Sequence, residues 1–276
     1  MTQTCSVILV DNPPINAGSL DVRAGILRGI IELANDPDLR AAVIMGSGTT
    51  FIAGSDLREF GMPLTEPQLP SVIAAIEACA KPVVAALHGA ALGGGFELAL
   101  GCDARIALHG TSVGLPEVTL GMISGAGGTQ RLPRIIGVSR AIEMVCSGER
   151  VGSEEAAALG LIDEVVSGGL RDAAVALARS MAGRKRRLRD ETPPPDDDAR
   201  IEAAAFKAIR SGRNRPPVIA AIEAVKSSAT LSIDEALARE RKVFQELRVG
   251  PEAIALRYQF FCLPSGRLRN FQNLLT

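Results

Sequence analysis

From Ser6 to Gly183 the chain alternates short apolar runs with segments of helical period, separated by glycine, proline or asparagine. SVILV is followed by VRAGILRGIIELAND, AAVIMG by PSVIAAIEACAK, and that in turn by PVVAAL. This alternation predicts an α/β core whose strands are largely parallel. In PSVIAAIEACAK, Val72, Ile76 and Cys79 stand at i, i+4 and i+7 and make one apolar stripe, so this helix packs on something. A chain of 276 residues is long enough for a large core with an appendage.

Composition changes at GRKRRLRDETPPPDDDAR, residues 183–200, where a basic run, a proline triplet and an aspartate triplet leave nothing to bury. This stretch is read as a charged, Pro-rich linker or surface loop between an α/β core at 1–182 and a helical C-terminal region at 201–276. The basic residues Arg184 to Arg187 are read as a solvated charge run, their field offset by acidic neighbours. Beyond it, IEAAAFKAIRSG, PPVIAAIEAVKSSA, SIDEALARERKVFQELRVG and PEAIALRYQFFCL all read as helices. Pro216 and Pro217 open one, and Ser232 or Asp234 stands near the start of the next. The tail ends in SGRLRNFQNLLT, without a lipidation or peroxisomal address.

Thirty-one acidic residues nearly cancel 30 basic ones, so no global field favours nucleic acid or an anionic membrane. No segment reaches about 18 uninterrupted apolar residues, and MTQTCSVILVDNPP lacks a basic n-region ahead of a long apolar run. Five cysteines, odd in number and never CxxC, argue against a disulfide framework or a zinc site. The expectation is a cytoplasmic protein with no metal, acting on a small molecule. Tryptophan is absent and aromatics are scarce, which speaks against base-stacking platforms.

Three stretches carry candidate chemistry. In ALGGGFELALGCD, Gly93 to Gly95 lead straight into an apolar helix, whose first N–H groups suit a developing oxyanion; Gly94 N–H is the natural donor. Glu97 lies in the first turn, either buried among its apolar neighbours or solvated on the outer face, with the neighbours favouring burial. In VGLPEVTLGMISGAGGTQRLPRIIG, Glu117 follows a proline and precedes a β-like run, beside a second glycine cluster. It is either the partner in paired acid/base work or an ordinary surface glutamate. In FIAGSDLREF an apolar strand end breaks at Gly54, and Ser55-Asp56 is either the source of a second oxyanion N–H or a plain helix cap.

Together FIAGSDLREF, KPVVAALHGAALGGGFELALGCDARIA and VGLPEVTLGMISGAGGTQRLPRIIG, in that order, resemble the crotonase superfamily, specifically the enoyl-CoA hydratases. NPPINA, SGERVGSEEAAALGLIDEVV, ARERKVFQEL and ALRYQFF extend the resemblance over nearly the whole chain, toward the hydratase part of multifunctional β-oxidation enzymes. The resemblance implies a crotonase, ClpP-like spiral of ββα units with an α-helical C-terminal region. It implies that Glu97 and Glu117 hold the attacking water between them, Glu97 activating it and Glu117 exchanging a proton at C2. The Ser55 and Gly94 N–H groups would bind the thioester oxygen, and Ala53, Gly54, Ser55, Asp56 and Leu57 would line the coenzyme A pocket through their backbone. The reaction implied adds water to a trans-2-enoyl-CoA, giving a 3-hydroxyacyl-CoA. The partner is an acyl-CoA thioester, with coenzyme A part of the substrate and no separate cofactor.

The rivals are a Δ3,Δ2-enoyl-CoA isomerase working through the Glu117 position and a noncatalytic acyl-CoA- or RNA-binding module of the same family. Retention of both glutamates and the near-zero charge speak against the second. A serine hydrolase lacks GxSxG and has only His88 and His109 to draw on. GAGGTQ and GGGFEL are not dinucleotide fingerprints, so NAD-dependent dehydrogenase activity is not expected. Two departures from the family pattern stand out: Ser55 where alanine is common, and Ser124 where proline is frequent, the latter expected to loosen the loop after Glu117. Oligomeric state stays open between monomer, homotrimer and hexamer.

Overall fold

A computed structural model describes residues 4–262. The start of MTQTCSVILVDNPP and the whole of SGRLRNFQNLLT lie outside the described residues. In chain order the core comprises β1 (Thr4–Val10), α1 (Leu20–Asn35), β2 (Leu39–Gly46), α2 (Leu69–Ala78), β3 (Val83–Leu87), β4 (Ala90–Leu92), α3 (Gly94–Leu100), β5 (Ala104–Leu108) and β6 (Ser112–Gly114). It continues through α4 (Gly128–Arg131), α5 (Pro133–Ile136), α6 (Val138–Ser147), β7 (Arg150–Gly152), α7 (Ser153–Ala158), β8 (Glu164–Val166) and α8 (Leu170–Ser180). The tail is α9 (Asp198–Ser211), α10 (Pro216–Ser227), α11 (Ile233–Leu247) and α12 (Pro251–Cys262).

Five strands form a parallel sheet in the order β1-β2-β3-β5-β8, with Ala42 opposite Val83 and Val84 opposite Ala104. The smaller sheet β4-β6-β7 is parallel at β4-β6 and antiparallel at β6-β7. Both faces of the large sheet are covered, which is why VVAAL is apolar at every position rather than at alternate ones. On one face α8 lays Leu170, Ala174 and Ala178 over Ala41, Val43, Val84 and Ile106. On the other, Ile26, Ile30 and Leu33 of α1, with Val72 and Ile76 of α2, enter the main core. Cys79 is buried as the stripe predicts, but α2 ends at Ala78 and Cys79 is its extended cap.

Each of the pairs β3-β4 and β5-β6 sends its first strand to the large sheet and its second to the small one, and β4 leads into α3. The β3-β4 corner turns on Gly89 at φ +62°, where a Cβ would overlap the Thr49 carbonyl oxygen. His88, just before it, accepts the Phe51 N–H at 2.9 Å through its backbone carbonyl, while its side-chain Nδ1 is buried without a partner among the described residues.

The tail folds back over its own core. The helices α9 and α10 pack on α6, α11 packs on α4 and α10, and α12 packs on the turn at Glu117–Leu120. Ser232 caps α11 in a reciprocal capping box with Glu235. Ser232→Ala should therefore cost about 1 kcal/mol, read as a fall in Tm of roughly 2–4 °C.

The segment 183–200 runs along the surface, yet it is not a free tether with nothing to bury. Lys185 Nζ donates to Asp103 Oδ2 at 2.8 Å and to the Ile76 carbonyl at 2.8 Å. The Arg186 N–H donates to Asp103 Oδ1 at 2.8 Å, and Leu188 is buried. Asp103 also accepts the N–H of Val83 at the start of β3, so these basic residues answer a buried acid of the core. The first helix of the tail, α9, begins three residues earlier than the composition shift suggested, with Asp197 as its N-cap.

Candidate active site

All seven residues of α3 are buried, because the glycines before Phe96 let its start press against neighbouring backbone. A Cβ on Gly95 would overlap the Ile52 carbonyl oxygen, and one on Gly94 would overlap Ser55 Oγ. Ile52 in turn accepts the Leu92 N–H at 3.1 Å, so the FIAGSDLREF loop and the glycine turn are tied into one unit. The sequence left Glu97 open between core and solvent, and the structure buries it at 4% exposure.

Glu97 Oε1 accepts the N–H of Ala126 at 2.7 Å and of Gly128 at 2.9 Å. Burial pushes the Glu97 pKa above the ordinary glutamate value, and these two donors oppose the rise. Glu117 is placed differently. It opens a 3-10 turn, Glu117–Leu120, rather than leading a β-like run, and neither carboxyl oxygen has a partner among the described residues. Burial, then the charge of Glu97, push its pKa well above the ordinary value. Its Oε1 lies 3.1 Å from where a Cβ of Gly93 would stand, which sets Glu117 over the N-cap of α3. The two carboxyl groups therefore sit in unlike environments: Glu97 holds two backbone donors, while Glu117 holds none and its pKa is raised the further.

Ser55 stands against Gly94, and neither N–H has a protein acceptor among the described residues. Asp56 takes the plain capping role: its side chain accepts the Arg58 N–H at 3.0 Å and pairs with the Arg58 guanidinium, which holds its carboxyl below the ordinary range. Ala53, Gly54, Ser55, Asp56 and Leu57 all line a cleft of about 1770 Å³ that also admits Gly93, Gly94, Glu97 and Glu117. The tail closes one side of it with Arg215, Arg241, Phe244 and Leu256.

Ser124 is fully buried and its Oγ makes no hydrogen bond, although it stands near enough to Glu117 to lower its pKa. The loop that follows it is nonetheless anchored, with the N–H groups of residues 126–129 held by carboxylates. One of those acids, Glu240 in α11, is absent from the sequence reading. It accepts the N–H of Gly127 at 2.6 Å and of Thr129 at 3.0 Å and is 1% exposed. Arginines on both sides disguise it as part of a solvated face. The available signal was its place midway between Ala236 and Phe244, four residues from each on the buried stripe of the helix. The buried Arg131–Glu77 ion pair at 2.8 Å, which braces α4 against α2, was missed as well.

Among the described residues no cluster of His, Cys, Asp or Glu could hold a metal ion, and no helix is long and apolar enough to cross a membrane. A family model described as "Enoyl-CoA hydratase/isomerase" matches residues 1–190. The chain is 41% identical over 277 aligned residues to the peroxisomal bifunctional enzyme of Danio rerio, covering 96% of this chain but only 38% of that protein. It is 39% identical over 187 residues to a probable enoyl-CoA hydratase of Bacillus subtilis, covering 65% of this chain and 71% of the other. Among solved structures, the carnitinyl-CoA hydratase of Mycobacterium avium superposes with a TM-score of 0.67 at 31% identity, covering 92% of this chain and 90% of that one. The ββα architecture, the glycine-turn acid and these likenesses agree: the chain belongs to the enoyl-CoA hydratase/isomerase family and has the crotonase fold with a helical C-terminal region.

Proposed function

We propose that this chain is an enoyl-CoA hydratase, adding water across the 2,3 double bond of a trans-2-enoyl-CoA to form the 3-hydroxyacyl-CoA. The observation that carries this reading is the pair of unlike carboxyl groups, Glu97 and Glu117, on one cleft beside two N–H groups without acceptors. Water adds to C3 only if the charge that flows to the thioester oxygen is stabilised; Ser55 and Gly94 N–H are the donors assigned to that oxygen, each worth roughly 3–4 kcal/mol by analogy with measured oxyanion donors. Glu97, as the carboxylate, orients the water and accepts its proton. Glu117, as the acid, delivers a proton to C2.

In this scheme coenzyme A enters as part of the substrate, and the steps call for no metal or redox cofactor. Residues 53–57 are assigned to the coenzyme A end, and the exposed Arg58, Arg150 and Arg213 on the same cleft suit its phosphates. Five free cysteines support a reducing compartment such as the cytoplasm. The reaction class suits fatty-acid β-oxidation or related acyl-CoA catabolism. In its deprotonated form Glu117 also supports a secondary Δ3,Δ2-enoyl-CoA isomerisation, taking a proton from C2 and returning it to C4.

The test is loss of the conjugated-thioester absorbance when purified protein meets trans-2-enoyl-CoA esters of graded chain length. Turnover that varies with chain length supports the reading. A folded protein that binds coenzyme A esters yet changes none of them removes it in favour of a binding module.

The pH dependence follows from the two carboxyl groups. The rate should rise as Glu97 loses its proton, above the usual glutamate range because burial raises its pKa. It should fall again at higher pH as Glu117, raised further, gives up the proton it must deliver. A bell-shaped kcat/KM profile with both limbs above the ordinary glutamate pKa is expected, measured by the same absorbance assay.

A further inference from the structure

The loop between the 3-10 turn and α4 is held from two sides in strict alternation. Ala126 and Gly128 donate to Glu97 Oε1, while Gly127 and Thr129 donate to Glu240 Oε1 and Oε2. The Thr129 hydroxyl also bonds Glu240 Oε2. Gly127 sits at φ +101°, where a Cβ would run into Arg131 and Leu237, so the loop reaches this pose only with glycine there. Four neighbouring amides thus lie between one carboxyl group of the core and another carried in by the tail. Neither can shift without dragging the other's donors, since a buried N–H left without an acceptor is strongly disfavoured.

We propose that Glu240 is a positioning residue for hydration: it fixes loop 125–129 so that the Ala126 and Gly128 amides hold Glu97 in its catalytic orientation. The proposal deepens the hydratase reading and rests on it for its kinetic test. Its surroundings agree with this role. Across the loop stands Glu97; Glu117 lies on the adjoining turn; Arg131 of α4 donates to the Ala126 carbonyl at 2.9 Å while paired with Glu77 of α2. Arg241, next on α11, donates to the Gly125 carbonyl at 3.3 Å. Burial, then the charge of Glu97, raise the Glu240 pKa, while the Thr129 and Gly127 donors oppose the rise and favour the carboxylate that accepts them.

The decisive comparison uses the full chain as wild type, Glu240→Gln, Glu240→Asp and Glu235→Ala. Glutamine keeps the shape but turns an NH2 group toward one of the loop amides. Glu235→Ala opens the capping box of the same helix without touching the loop. Glu240→Gln should lower kcat by about tenfold or more with KM within about twofold, because the misplacement is at the reacting end. Glu240→Asp, with two acceptor oxygens, should recover part of kcat. Glu235→Ala should lose Tm with kcat unchanged.

A Glu240→Gln variant that keeps kcat, or that loses activity only in proportion to its unfolded fraction, would overturn the proposal. Hydrogen exchange separates it from the hydratase reading. The Ala126 and Gly128 amides should exchange faster in Glu240→Gln than in wild type whether or not any enoyl-CoA is turned over. Equal protection in the two would sink the tether even if the wild type were an active hydratase. An inactive wild type with the expected exchange would sink the hydratase reading and leave the tether standing.

Discussion

Glu117→Gln is expected to lower kcat for hydration by about 10²–10⁴-fold, the range for removing a positioned acid, with KM changed little. The side chain makes no hydrogen bond that the amide would break, so the variant removes a proton source and little else. Glu97→Gln should fall in the same range for a different reason. Both loop amides reach Oε1, so a glutamine that keeps its carbonyl there retains the anchor and lacks only the base. The double variant should be little worse than the poorer single one, because the two groups serve one water. If Glu97→Gln lost hydration but retained Δ3,Δ2 isomerisation, the single-base activity of Glu117 would be established. Normal hydration in either variant would remove the two-carboxylate mechanism.

Gly95→Ala is expected to destabilise the fold by about 3 kcal/mol or more and to abolish turnover in whatever fraction folds. The added methyl would overlap the Ile52 carbonyl oxygen, a backbone atom that cannot rotate away as a side chain does. That carbonyl accepts the Leu92 N–H, so relief means parting the FIAGSDLREF loop from the glycine turn. Gly61→Ala serves as the comparison, because a Cβ there meets nothing within 4 Å. It should change stability by no more than about 0.5 kcal/mol in the same denaturant titration. Equal stability of the two variants would mean that α3 is not wedged where the structure places it.

Much of the site was legible because its parts are local. Three glycines before an apolar helix require close backbone approach wherever they fold, and Gly93 and Gly94 are found where a side chain would strike Glu117 and Ser55. The capping box of α11 and the prolines opening α10 were equally readable, each involving neighbours a few residues apart. The run after Glu117 failed as a strand because VTL is β-like in composition, whereas its place between the core and α12 winds it into a 3-10 turn.

The sequence by itself determined the alternating α/β core, its largely parallel strands and the helical tail, because periodicity acts over a few residues; Glu97, Glu117, Ser55 and Gly94 were singled out as candidates through the resemblance of their motifs to the family. Only the tertiary structure decided which carboxyl groups are dry and which backbone donors each one meets. Those properties depend on partners far along the chain: Glu97 is held by amides 29 and 31 residues away, and Glu240 by amides 111 and 113 residues away. The basic segment behaved likewise, reading as solvated until folding placed Asp103 beneath Lys185 across 82 residues. Desolvation is a property of the assembled surroundings, and no short stretch of chain contains them.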